Sequence, residues 1–151
     1  MALKVGQKAP DFILVSDAGE KIKLSQFKGK RVILYFYPKD MTPGCTTEAC
    51  DFRDAKTSLA RKKTIILGVS RDSVARHQKF KEKYDLNFPL LSDEDGKVCE
   101  KYGVWQEKSL YGKKFMGIVR TTFVIGPDQK IQEIIEKVKV KGHVDALLSS
   151  L

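Results

Sequence analysis

The chain has 151 residues, 42% of them hydrophobic and 31% charged, with a net charge of +9 from 28 basic and 19 acidic side chains. That length and balance describe one globular domain spanning 1–151, burying about two thirds of its unfolded surface. No apolar run approaches the ~20 residues of a membrane span, and Met1-Ala2-Leu3-Lys4-Val5-Gly6-Gln7 lacks the apolar stretch of a secretory signal, so a cytoplasmic protein with no membrane partner is expected.

In chain order, Phe12-Ile13-Leu14-Val15, the turn signal Asp17-Ala18-Gly19 and Lys21-Ile22-Lys23-Leu24 predict an N-terminal β-hairpin. Val32 to Tyr37 is a continuous apolar and aromatic run, as in a strand covered on both faces. From Pro43 to about Ala60 the period turns helical, with Cys45, Ala49, Phe52, Lys56 and Leu59 on one face and Lys56 the exception. Thr42 then reads as the N-cap and Pro43 as the first helical residue. Thr64 to Val69 predicts a second buried strand, closing a β-α-β unit. Ser73 to Tyr84 predicts an amphipathic helix through Val74, His77, Phe80 and Tyr84, capped by Asp72 or Ser73. Phe88-Pro89-Leu90-Leu91 reads as extended and Gly96 to Tyr102 as a short helix. Thr121 to Ile125 and Ile131 to about Val138 read as strands around the Gly126-Pro127-Asp128 turn, with a closing helix from His143 to Leu151. The order implies an α/β fold with a central mixed sheet, parallel in the middle and antiparallel after Arg120, flanked by helices. In such sheets sites collect where a parallel strand ends and its helix begins, which is where Cys45 falls.

The basic residues occur in short groups such as Lys28-Lys30-Arg31 and Lys137-Lys139-Lys141, interleaved with apolar positions as on a solvated face. No nucleic-acid motif accompanies them, so no nucleic-acid partner is expected. Three cysteines do not make a disulfide framework, and the two histidines, His77 and His143, lie at no ligand spacing from a cysteine, which argues against a metal site. Cys45 instead stands in the first turn of a helix, near unpaired N–H groups and the positive end of the dipole. That setting favours thiolate over thiol. With Cys50 five residues on, reversible redox chemistry is the expectation.

Pro38-x-x-x-Thr42-x-x-Cys45 resembles the signature of the peroxiredoxins, and Thr42-Pro43-Gly44-Cys45-Thr46-Thr47-Glu48-Ala49-Cys50 resembles the subgroup called bacterioferritin comigratory protein, or Q-type. Ala9-Pro10-Asp11-Phe12, Phe88-Pro89-Leu90-Leu91-Ser92-Asp93, Tyr102-Gly103-Val104-Trp105 and Arg120-Thr121-Thr122-Phe123 extend the similarity over nearly the whole chain. The resemblance implies a thioredoxin-like fold and a thioredoxin-dependent peroxidase acting on hydrogen peroxide and organic hydroperoxides. Cys45 would be the attacking nucleophile. Thr42, Gly44, Cys45 and Arg120 would bind the peroxide, Pro38 would shield the sulfur, and Glu48 would orient the arginine. Free cysteine is about 3% thiolate at pH 7, so ionisation gains about thirtyfold at most. The rest must come from donors that stabilise charge on the leaving oxygen.

Each residue also has a plainer reading: Thr42 as a cap, Pro38 as a strand terminator, Glu48 as a first-turn acid, Arg120 as a surface arginine on an edge strand, Cys50 as a small buried residue; Cys99, outside the motif, reads as structural, with an alternative resolving or intermolecular thiol as its other reading. Arg120, however, lies between Met116-Gly117-Ile118-Val119 and Phe123-Val124-Ile125, where a lone charge is costly, so a partner is expected in the thiolate or Glu48. The resemblance further implies that Cys50 resolves the oxidised Cys45 as an intramolecular disulfide. On an ideal helix these positions are about 140° apart with Cα atoms ~8.6 Å apart, beyond the roughly 7 Å that a disulfide spans. The helix must unwind for the bond to form. Thioredoxin or a similar dithiol would be the reductant, no bound cofactor is needed, and the expected state is a monomer with a dimer as the alternative. Two other readings remain, a thioredoxin-type oxidoreductase and a non-catalytic redox switch. The C-x4-C spacing argues against the first.

Overall fold

The computed structural model describes residues 3–151, so the first two positions of the segment read for a secretory signal lie outside it. The elements are β1 (Ile13–Ser16), β2 (Lys21–Lys23), a 3-10 turn (Leu24–Phe27), β3 (Arg31–Phe36), α1 (Pro43–Arg61), β4 (Thr64–Ser70), α2 (Val74–Tyr84), β5 (Leu90–Ser92), α3 (Lys97–Lys101), β6 (Trp105–Leu110), β7 (Lys113–Ile118), β8 (Thr121–Ile125), β9 (Ile131–Ile135) and α4 (His143–Ser150). Seven strands form one sheet in the order β2-β1-β5-β4-β3-β8-β9. β3, β4 and β5 run parallel, and β1 and β8 join them antiparallel, so both edges of the sheet are antiparallel. The N-terminal hairpin is therefore one end of the main sheet.

The apolar run of β3 is central because both its faces are covered. Val32, Leu34 and Phe36 pack with α3 and the N-terminal segment; Ile33 and Tyr35, with Tyr37 just beyond the strand, pack with α1, α2 and α4. Helix α1 buries Cys45, Glu48, Ala49, Phe52 and Leu59 and leaves Lys56 outside, bonded through its ammonium to Asn87 O. Phe52 stacks on Tyr35 with ring centroids 4.6 Å apart, and burial of the whole Phe52 side chain is worth about 1.5–3 kcal/mol in transferred area. β9 ends at Ile135, short of Val138, and Leu24 belongs to the 3-10 turn and not to the hairpin.

The sequence expectations missed one element. β6 and β7 form a separate two-stranded hairpin turning at Tyr111-Gly112, both with positive φ (50° and 78°). That is a two-residue primed turn, built here with tyrosine where asparagine or aspartate is the usual signal. No helix among the described residues is long and apolar enough to cross a membrane.

Candidate active site

The last backbone contact of β3 is Tyr37 N donating to Val69 O, after which Pro38 ends the strand and the chain turns into α1. Thr42 has the extended backbone of an N-cap and Pro43 opens the helix, as expected. The side chain of Thr42 does not cap: its hydroxyl donates to Lys39 O at 2.8 Å, and no side chain accepts from the first turn. The first intrahelical bond is Thr46 N to Thr42 O, so the amides of Gly44 and Cys45 have no partner within the helix. Cys45 sits among them, 1% exposed.

Arg120 arrives from the neighbouring strand. β8 runs antiparallel to β3 with Thr121 opposite Phe36, so the residue just before β8 is delivered to the point where β3 gives way to the loop. One guanidinium nitrogen, Nη1, donates to Glu48 Oε1 at 2.6 Å, and the other, Nη2, to Cys45 Sγ at 3.3 Å. The two acceptors lie three residues apart on α1, hence on one face. A Cβ on Gly44 would stand 3.2 Å from that second nitrogen, so glycine is the residue that lets the guanidinium settle over the helix end without pressure. Arg120 is no edge-strand residue, and it has both of the partners expected for it.

Burial governs the charges. Glu48 is fully buried and its Oε2 has no hydrogen-bond partner; desolvation pushes its carboxyl up to about 7, against the pull of Arg120. Burial draws Arg120 down, but the charges of Glu48 and Cys45 outweigh it and hold the guanidinium above its ordinary range. Lys108, which the sequence reading passed over, is a second cation near this centre. Its ammonium donates to Ile118 O at 2.9 Å, and burial, then Arg120, lower its pKa while Cys45 opposes them. Pro38 is half-buried and walls a cavity of about 450 Å³ shared with Trp105, Lys108, Phe115, Met116 and Ile118. A larger groove of about 780 Å³ between α1 and α4 reaches the site only through Pro43 and Gly44.

All three cysteines are free, and α1 is continuous through Cys45 and Cys50, with Cys50 half-buried. Cys99 packs on the opposite face of the sheet from Cys45, where burial and Asp93 push its thiol well up.

The sequence also passed over a buried group behind the loop. Asp40, Asp72 and His77 each bring one potential ligand atom within 4.8 Å of the others, a juxtaposition that no spacing between histidine and cysteine would reveal. Each already has hydrogen-bond partners within the chain: Tyr37 and His77 on Asp40, Ser70 and Arg76 on Asp72, Leu91 O on His77. The only advance signal was a histidine on the apolar face of α2.

Comparison with known proteins follows the same lines. The AhpC/TSA family matches residues 5–134. A putative peroxiredoxin bcp of Coxiella burnetii is 54% identical over 151 residues, all of both chains. Peroxiredoxin Bcp of Bacillus subtilis is 53% identical over all of this chain and 96% of its own, and that of Escherichia coli K12 is 47% identical over 99% of this chain and 96% of its own. Among solved structures, a cysteine-to-serine mutant of Xylella fastidiosa PrxQ superposes with a TM-score of 0.94 at 36% identity, covering 99% of this chain and 96% of its own. The bacterioferritin comigratory protein of Xanthomonas campestris, solved in work on its alkyl peroxide reduction, superposes with a TM-score of 0.91 at 40% identity, covering 97% and 96%.

Proposed function

This chain belongs to the AhpC/TSA family and is a peroxiredoxin, a thiol-dependent peroxidase, and we propose that it works through Cys45 as the attacking sulfur. The observation that carries the assignment is the guanidinium of Arg120 bonded at once to Cys45 Sγ and Glu48, above a helix end with two free amides. The Cys45 thiolate attacks one oxygen of the hydroperoxide, the O–O bond breaks, and the alkoxide or hydroxide leaves to take up a proton, giving a sulfenic acid and an alcohol or water. Negative charge builds on the leaving oxygen, where Arg120 and the amides of Gly44 and Cys45 are already in place. Thr42, whose own proton is given to Lys39 O, keeps lone pairs with which to accept the peroxide O–H. Pro38 screens the sulfur from water, and Glu48 holds the guanidinium at its angle.

Cys50 then attacks the sulfenic acid, releasing water and forming a disulfide. The helix between the two must open first, because i and i+5 positions stand too far apart in a continuous helix. Thioredoxin or a similar dithiol reduces the disulfide, and no bound cofactor takes part because sulfur carries the electrons. The substrates are hydrogen peroxide and organic hydroperoxides. The relative solved in work on alkyl peroxide reduction and the apolar wall of Trp105, Phe115 and Met116 beside Pro38 both favour the second class.

The test is turnover with a thioredoxin system by the wild type and two variants. Cys45→Ser is expected to abolish peroxide consumption, and Cys50→Ser to give one rapid turnover and a trappable sulfenic acid. Sustained cycling by Cys50→Ser would remove Cys50 from its role, and activity in Cys45→Ser would remove the whole mechanism.

A further inference from the structure

We propose that Asp40 and His77 form a positioning clamp that fixes the near end of the catalytic loop, setting where Cys45 stands and how far the helix start can unwind. The proposal rests on the reading of Cys45 and Cys50 above. Asp40 lies midway between Pro38 and Thr42, in a loop where a carboxylate would ordinarily face water, yet it is 1% exposed. Four polar atoms of Asp40 are engaged. Oδ1 accepts from the Tyr37 hydroxyl at 2.5 Å, Oδ2 faces His77 Nδ1 at 2.6 Å, the backbone N–H donates to Asp72 Oδ2 at 2.8 Å, and the backbone carbonyl accepts from Arg76 Nη2 at 3.2 Å.

The partners are themselves held. His77 is fully buried on α2, and its Nε2 donates to Leu91 O in β5 at 3.0 Å, which fixes the ring. Asp72 takes a bond from Ser70 at the end of β4 at 2.6 Å and one from Arg76 at 3.1 Å. One loop residue is thus tied to β4, α2 and β5, the rigid part of the sheet. The next residue, Met41, has φ of 63°, a left-handed conformation that a non-glycine side chain keeps only where its surroundings hold it. A buried ionisable pair is a poor way to gain stability compared with apolar side chains of the same size. Its place directly behind the loop fits a geometric task instead.

Two consequences run in opposite directions. With the clamp intact, Cys45 is presented to Arg120, and the loop that leads into the helix is held at Asp40, which limits how freely the helix start can open. With the clamp cut, the strained loop relaxes, the sulfur loses its register with the guanidinium, and the helix start opens more readily. Attack on peroxide then slows while disulfide closure speeds up. A substitution that merely weakened the fold would also loosen the helix start, so the clamp is told apart by rescue in a variant that keeps its hydrogen bonds.

The experiment mixes reduced protein with hydrogen peroxide, quenches at intervals, and measures by mass both the loss of the Cys45 thiol and the conversion of sulfenic acid to disulfide. Melting curves confirm folding. Asp40→Ala is expected to slow the first step about tenfold or more and to accelerate the second several-fold. Asp40→Asn, whose amide can accept from Tyr37 and donate to His77 Nδ1, is expected to stay close to wild type in both. Folded Asp40→Ala with wild-type oxidation, or with both rates moving the same way, overturns the clamp. If Asp40→Ala does not fold, Arg76→Met removes two bonds made by a half-exposed side chain, one to Asp40 O and one to Asp72, and is expected to show the same opposed shifts at smaller size; unchanged rates there overturn it equally. A wild type whose Cys45 reacts no faster than free cysteine would instead defeat the functional reading, and the clamp with it.

Discussion

Arg120 divides its two outer nitrogens between a sulfur and a carboxylate, and that fork is what a lysine cannot reproduce. Arg120→Met is expected to lower the rate of Cys45 oxidation about 10²- to 10³-fold, the usual loss for a donor aimed at developing charge, and Arg120→Lys to restore little of it, as stopped-flow measurement with hydrogen peroxide would show. Glu48 brings a pH dependence. Its carboxyl is raised from 4.5 to about 7 by burial, so between those values the native protein holds a proton that the unfolded chain has released. The stabilising contribution is full below about 4.5 and is lost as pH rises through 7, to the extent of about 3 kcal/mol. Glu48→Gln should remove that limb from denaturant stability curves recorded between pH 5 and 8; an unchanged limb would mean the carboxyl is not the group responsible. The meeting of Cys45, Glu48 and Arg120 was legible in advance, because Cys45 and Glu48 stand in one quoted string and Arg120 is a charge in an apolar stretch that needed a partner. Asp40, His77 and Lys108 were not, because their partners lie far along the chain or depend on a side chain turning inward, and no spacing encodes that.

At the scale of elements, α1 does two jobs that pull against each other. Its apolar face, with Ala49, Phe52 and Leu59, packs on the sheet, while its first two turns carry both cysteines and, on the proposed mechanism, open for them to meet. Amide exchange should therefore show residues 46–50, the first with helical hydrogen bonds, protected in the reduced protein and exposed after oxidation, with the segment beyond Phe52 unchanged. Equal protection in both states would contradict the unwinding step. The helix was readable from Pro43 onward because proline, the apolar period and the following strand agree. The β6–β7 hairpin was not readable: its strands are largely exposed, so little apolar alternation marks them, and its turn uses Tyr111 where the usual signal is absent. Thr42 shows a third case, in which the backbone position was legible and the direction of the hydroxyl was not.

Across the whole molecule the sheet separates two cores, and the cysteines fall on either side of it. Cys45 packs with α1, α2 and α4; Cys99 lies with α3 and the N-terminal segment. Cys99→Ala is accordingly expected to leave turnover within about twofold and to cost about 1 kcal/mol of stability, the scale of a small truncation in a packed core. A larger fall in turnover would bring Cys99 into the reaction. The parallel centre of the sheet was legible from buried strands alternating with helices; the return of the N-terminal hairpin to its far edge was not, since pairing between β1 and β5 depends on contacts more than 70 residues apart. The proposed chemistry depends on one sulfur being reactive because Arg120 and a helix end surround it. Rapid mixing of the reduced protein with equimolar hydrogen peroxide, followed by mapping of the first oxidised sulfur, tests that most directly. Oxidation should appear first at Cys45, orders of magnitude faster than in free cysteine, and only afterwards as a bond to Cys50. First oxidation at Cys50 or Cys99, or reaction at the pace of the free amino acid, would contradict it.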